Sequence, residues 1–272
     1  AVLTEKVVEE IHRFQKRGGI VVADEKLCPA ILPDYVMPTY VRTKVNDVDK
    51  AHLQAMGAKL RKALDPYLDT PFRTSNPDLV GRMRQHGTSD YLFVINDKRT
   101  YGNYIGQYKL CMEDGLPNTG TVDIFRKGYV YDLPEHRLAD TTPTENGQSF
   151  PVTLGPGDGK LFLVTDIPIQ NLAVSAPESA KLGDEFSFQI DITDNQGNHP
   201  DAVLPVKVTV TSPESASNER FPAIEGSGYY AAKDGKLTVT IAPAFNDAPG
   251  TWKIQVMELA AGHAAENTLQ VK

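Results

Sequence analysis

The chain has 272 residues, a formal net charge of −7 and 40% apolar residues, enough length for two domains that each bury a core. The excess of acid and the interspersed signs argue against a nucleic-acid surface, which would carry a basic stripe, and no run of about eighteen apolar residues is present to cross a membrane as a helix. Cys28 and Cys111 are the only thiols and lack CxxC spacing, so neither a zinc site nor a disulfide framework is indicated, and the compartment is left open. The opening "AVLTEK" has no basic region followed by an apolar core, so it does not read as an export signal.

Thr4 is placed to cap a helix whose apolar positions Val7, Val8, Ile11 and Phe14 fall on one stripe, with Leu3 and Val8 forming a hydrophobic staple. Gly18 or Gly19 supplies its left-handed end. "IVVA", residues 20–23, is a continuous apolar run, the pattern of a strand covered on both faces in a parallel sheet. One helix and one strand cannot cover both faces, so this pair either ends a domain whose body lies upstream or packs on the sandwich downstream.

Residues 28–46 hold three prolines and predict an extended crossing segment. A second helix is expected from about Asp47 to Asp65, with Val48, Ala51, Ala55, Met56, Leu60, Ala63 and Leu64 inside and Pro66 stopping it. The period then changes from 3.6 to 2. "DYLFVIND", "GQYKLCME", "GTVDIFRKG", "YVYDLPEHR", "SFPVTL" and "KLFLVTD" predict short strands separated by turn residues, hence an antiparallel sandwich rather than βαβ units. "GPGDG" at 155–159 joins two of them and reads as a turn.

"TDIPIQN" marks the expected domain boundary near residue 168. Beyond it, "NLAVSAP", "DEFSFQIDITD", "AVLPVKVTVTSP", "GYYAA", "GKLTVTIAP", "GTWKIQVMEL" and "NTLQV" give seven strand candidates, the immunoglobulin-like spacing without the cysteine pair. The expected fold is therefore α+β and mainly β: a two-helix-decorated antiparallel β-sandwich over 1–167, followed by an Ig-like seven-stranded β-sandwich over 168–272.

"LTEKVVEEIHRFQKRGGIVVADE" resembles the helix and strand that end the glutamine-amidotransferase-like trimerisation domain of β-galactosidase-type glycoside hydrolases. "YLFVINDKRTYGNY" through "GYVYDL", with "LGPGDGKLFLV", is similar to the small sandwich that closes many large bacterial glycoside hydrolases, and "PAFNDAPGTWKIQVMELAAGHAAENTLQV" looks like the last strands of bacterial Ig-like or macroglobulin-type modules. The resemblance implies a C-terminal accessory region of a secreted or periplasmic carbohydrate-active protein, with an upstream catalytic domain in the same polypeptide. It implies no active site here, because in those hydrolases the catalytic carboxylates sit on a (β/α)8 barrel.

"NDKRTYGNYIGQY", residues 96–108, is the richest candidate for a polysaccharide. Asn96, Asp97, Lys98 and Arg99 suit sugar hydroxyls, and Tyr101, Tyr104 and Tyr108 offer flat faces for pyranose rings. The competing reading is a loop whose tyrosines pack on the sandwich edge. Trp252 is read as core, because alternation in "TWKIQVME" puts it on one face with Ile254 and Val256.

Asp191, Asp194, Asn195, Asn198 and Asp201 surround Gly197 in an oxygen-rich turn of the kind that can hold calcium, but the closing glutamate of an EF-hand is missing and an Asx-rich hairpin is the favoured reading. No other cofactor is expected. Asp24 and Glu25 end a strand, where ligands of α/β folds bind, yet polar strand termination accounts for them. The six histidines form no HxH or HExxH group, and GxSxG, GxGxxG and GxxxxGK[ST] are absent in usable context. Three functions remain: a noncatalytic accessory region, a carbohydrate-binding module using the tyrosine loop, and an Ig-like surface protein with protein partners.

Overall fold

The computed structural model describes residues 3–26, 31–43, 46–106, 109–214 and 224–272. It divides into two compact units, Ala1–Thr70 with Asn103–Cys111, and Pro71–Gly102 with Met112–Lys272.

In the first unit, helix α1 (Glu5–Lys16) carries no buried residue, and Val7 and Phe14 of the expected stripe are exposed. Thr4 precedes it in an extended conformation without the expected side-chain cap, and only its carbonyl serves the helix, accepting the Val8 N–H at 3.1 Å. Gly18 takes the left-handed conformation at φ 86°, while Gly19 lies so close under the Phe14 ring that a Cβ would collide with it. Strand β1 (Val22–Asp24) is shorter than the predicted apolar run and pairs in parallel with β2 (Tyr35–Met37) alone. Asp34 holds the return, its Oδ2 accepting the Val21 N–H at 2.8 Å and the Gln15 amide at 3.0 Å. Helix α2 (Asn46–Leu64) ends in a 3-10 turn at Asp65–Tyr67. Val48, Ala51 and Ala55, expected inside, are exposed, whereas Met56, Leu60, Ala63 and Leu64 are half-buried.

The second unit contains two sandwiches. From Phe72 to Thr165 the strands are β3 (Phe72–Thr74), β4 (Leu79–His86), β5 (Ser89–Asn96), β6 (Arg99–Gly106), β7 (Lys109–Gly115), β8 (Asn118–Ile124), β9 (Tyr129–Asp132), β10 (Arg137–Leu138), β11 (Thr142–Thr144), β12 (Gly147–Leu154) and β13 (Gly159–Thr165), and all but β6 and β7 build the first sandwich. One layer has the order β10-β9-β13-β5-β4 and the other β11-β12-β8-β3, while β6 and β7 pair separately, their far end falling with the first unit. Leu92, Val94, Phe162 and Val164 from the first layer meet Val122, Ile124, Phe150 and Val152 from the second. Strands β3, β4, β6 and β11 were not expected. β4 is an edge strand whose outward Arg82 and Arg84 dilute its apolar pattern, a device that blunts edge pairing. β6 lies in the stretch read as a loop, where alternating glycine, asparagine and tyrosine hide the period.

The second sandwich comprises β14 (Asn171–Ser175), β15 (Ser179–Ala180), β16 (Phe186–Thr193), β17 (Val203–Thr211), β18 (Gly228–Lys233), β19 (Lys236–Ile241), β20 (Gly250–Glu258) and β21 (Ala264–Val271). The seven expected strands are present, and the two-residue β15 is an eighth, parallel to β21. β18 and β19 join only at Lys233↔Lys236, so the sheet folds there into layers β14-β16-β19 and β18-β17-β20-β21-β15. Asp234 and Gly235 make that turn with φ 52° and 70°, the Asp-Gly pair that suits a two-residue hairpin. Strict alternation buries Phe188, Ile190 and Ile192 against Val206, Val208, Val210, Ile254, Val256 and Trp252. Trp252 is 1% exposed, and its Nε1 donates to the Ala248 carbonyl at 3.0 Å.

Candidate functional site

Asn96 ends β5 buried. Its Nδ2 donates to the carbonyls of Leu116 and Gly155, both at 2.7 Å, and its Oδ1 accepts the Lys98 N–H at 3.0 Å. Asp97 and Arg99 are brought together as an exposed ion pair at 3.0 Å. Tyr101 is half-buried on β6, the side chain of Tyr104 is outside the described set, and Tyr108 lies outside the described residues. The stretch thus begins with an asparagine that fastens three turns and continues with a paired aspartate and arginine.

The oxygen-rich turn is organised around Asp194, which is buried. Its carboxylate accepts the N–H groups of Gln196 and Asn198, both at 2.8 Å, and the Asn198 side-chain amide at 2.9 Å. The Asn198 amide, helped by those N–H groups, holds the carboxyl below its usual range against the opposing effect of burial. Asn195 accepts from Asn171, and Asp191 pairs with His199 at 2.7 Å. Asp201 takes part in another group, its Oδ2 accepting the Thr88 N–H at 2.9 Å. The turn is an Asx motif built on hydrogen bonds. Asp24 plays a similar local part. Its Oδ1 accepts the Thr39 hydroxyl and the Lys26 N–H, both at 2.7 Å, bonds that hold its carboxyl below the usual range, while Glu25 accepts the Thr39 N–H.

A surface that sequence reasoning missed is the outer face of β18, β17, β20 and β21. Register places Tyr229, Lys207 and Met257 across it in one row and Thr209, Gln255 and Glu266 in the next. Tyr229 is 76% exposed, and Lys253 crosses to Glu266 at 2.7 Å. This pair holds the Glu266 carboxyl below its usual range, and a shallow open groove runs between Lys207, Gln255, Met257 and Glu266. An exposed ring beside amides, hydroxyls and both charges is chemically suited to a polyhydroxylated ligand. The signal was present in "GYYAA", where alternation sends Tyr230 inward and Tyr229 outward.

The two sandwiches are joined by a common apolar core. Tyr91, Tyr131, Leu161 and Leu163, on the outer face of the first, pack with Ile169, Ala202, Leu204 and Ala260. Tyr131 Oη accepts the N–H of Ile169, in the connecting segment, at 2.7 Å, and His263 Nε2 meets the Ile169 carbonyl at 3.1 Å. Burial pushes the Tyr131 hydroxyl up to about 12. His136 Nδ1 donates to the Leu259 carbonyl at 2.7 Å, and Gly262 lies so near His136 that a Cβ would come within 2.7 Å of its carbonyl oxygen.

No protein-family model matches the chain, and no curated protein matches it. Among solved structures, a glycosyl hydrolase family 2 member from Bacteroides cellulosilyticus is 12% identical, with a TM-score of 0.27 and coverage of 74% of this chain and 28% of that one. Salmonella alpha-2-macroglobulin is 13% identical, with a TM-score of 0.30 and coverage of 72% and 16%. Domains 4 and 5 of the S-layer protein SbsC are 15% identical, with a TM-score of 0.26 and coverage of 74% of each chain. At these scores they carry no argument about activity.

Proposed function

We propose that the chain is a noncatalytic accessory region of a secreted carbohydrate-active protein, packing against and positioning a catalytic domain of the same polypeptide. The observation that supports this reading best is the shared core between the sandwiches, since a connection buried at Ile169 makes the pair a fixed spacer instead of two modules on a loose tether. Val80, Phe93 and Ile95, on the outer face of β4 and β5 and about half exposed, extend the apolar surface that the second sandwich covers at Tyr91 and so offer a place for such packing. The carbohydrate context rests on the sequence resemblance.

Native affinity electrophoresis against a panel of soluble polysaccharides, with the same incubations assayed for reducing sugar, tests the reading. A support region gives neither retardation nor release, and release by this chain alone would refute it. Direct saccharide binding is the second reading, favoured by Tyr229 on its flat polar face. It predicts retardation that Tyr229→Ala abolishes. Retardation abolished instead by the double variant Tyr101→Ala/Tyr104→Ala would assign binding to the β6 stretch.

A further inference from the structure

His86, Asp201 and Asp234 form the one group of three or more histidine, cysteine or acidic residues, among the described residues, whose ligand atoms all lie within 4.8 Å of one another. The group straddles the two sandwiches. His86 starts the tight β4–β5 hairpin, closed by the pair His86↔Ser89 and turned at Gly87 with φ 54°. Asp234 sits in the left-handed first position of the β18–β19 hairpin, and its N–H donates to the Ala202 carbonyl at 2.8 Å, which fixes it next to Asp201.

We propose that this group is a binding site for a divalent transition-metal ion of the zinc class, clipping the first sandwich to the second, and this goes beyond the accessory reading above. Three features carry it. The first is geometry: His86 Nε2 and Asp234 Oδ1 are 3.7 Å apart, too far for a hydrogen bond. Two atoms each about 2.1 Å from one zinc ion, in tetrahedral array, would be separated by only slightly less.

The second is preorganisation. Thr88 N–H holds one oxygen of Asp201, and the carboxylate lies so tightly over Gly87 that any Cβ there would strike it, so the aspartate is locked beside the hairpin that bears His86. The third is charge. Two carboxylates face one imidazole. A divalent cation neutralises that pair, and an imidazole with two carboxylates is a ligand set for zinc, cobalt or nickel in preference to calcium. Three protein ligands leave a fourth position for water.

The test uses the whole chain, stripped with a chelator and titrated with Zn2+ by calorimetry and with Co2+ by visible absorption. One equivalent is expected to bind and to raise the melting temperature. His86→Ala should weaken binding at least about tenfold, and Asp234→Asn should do likewise while keeping a residue tolerated in the left-handed turn. Both sites are partly exposed, and unchanged circular dichroism without metal would establish that the variants fold. His199→Ala, on the other histidine–aspartate pair, should bind as the parent does. Absence of binding at about 1 mM metal, or equal affinity in the parent and His86→Ala, would overturn the proposal.

Discussion

The hydroxyl of Tyr91, on β5 of the first sandwich, donates to the carbonyl of Val203 and accepts its N–H, each at 2.7 Å, so one side chain satisfies both backbone groups of the residue that opens β17 in the second. A sheet start that would otherwise need water is capped by the neighbouring sandwich. Removing the oxygen leaves a donor and an acceptor without that partner at a half-buried position. Tyr91→Phe should cost about 1–3 kcal/mol, read from urea midpoints. An unchanged midpoint would mean that water replaces the hydroxyl.

Leu163 is fully buried where the two sandwiches meet. Its truncation to Ala should cost about 2–5 kcal/mol and leave a cavity between the layers. Because the core is shared, unfolding of residues 71–272 in the parent should be a single transition by Trp252 fluorescence and far-UV dichroism. Two resolved transitions would show that the sandwiches fold independently.

Gly262, with φ 81°, brings its α-carbon against the carbonyl of His136. Gly262→Ala is disfavoured twice, by the left-handed backbone and by the contact, and should lose about 1–3 kcal/mol. Gly18→Ala has the same backbone penalty but open space around it, so the difference between the two variants isolates the contact across the junction.

Glu258 is buried at the end of β20, and desolvation raises its pKa above the ordinary 4.5 although the N–H groups of Ala261 and Ala260 bond to its carboxylate. A raised acid keeps its proton in the folded state over a range where the unfolded chain has lost it. The folded state then binds more protons, so stability should fall as pH rises from 4.5 through the raised value. Asp194 has the opposite sign: its lowered pKa means stability lost as pH falls below the ordinary 3.8. Urea midpoints across pH should show the first slope vanish in Glu258→Gln and the second in Asp194→Asn. Retention of either slope would place the titration elsewhere.

Tyr229→Ala removes an exposed ring from the outer sheet face and should leave the melting temperature within about 1 °C of the parent, because little buried area is lost. That neutrality is what makes the variant a clean probe of saccharide retardation. A large drop in melting temperature would show that Tyr229 packs in solution.

Where alternation was regular, the sequence alone determined the outcome. Every expected strand of the second sandwich formed, and Trp252, Ile254 and Val256 are buried together, because a strand with one apolar face has one stable way to present it. Edge strand β4 escaped notice because it needs little apolar surface and carries arginines against mispairing. That the Asn96 amide binds two distant carbonyls was not legible either, since residue type does not reveal which partner satisfies a polar group. The junction was illegible for the same reason: Tyr91 and Val203, or His86 and Asp234, are more than a hundred residues apart, and no local period encodes their meeting. Local preference chose the strands, whereas packing of one finished sheet face on another decided which tyrosines, histidines and aspartates share a surface.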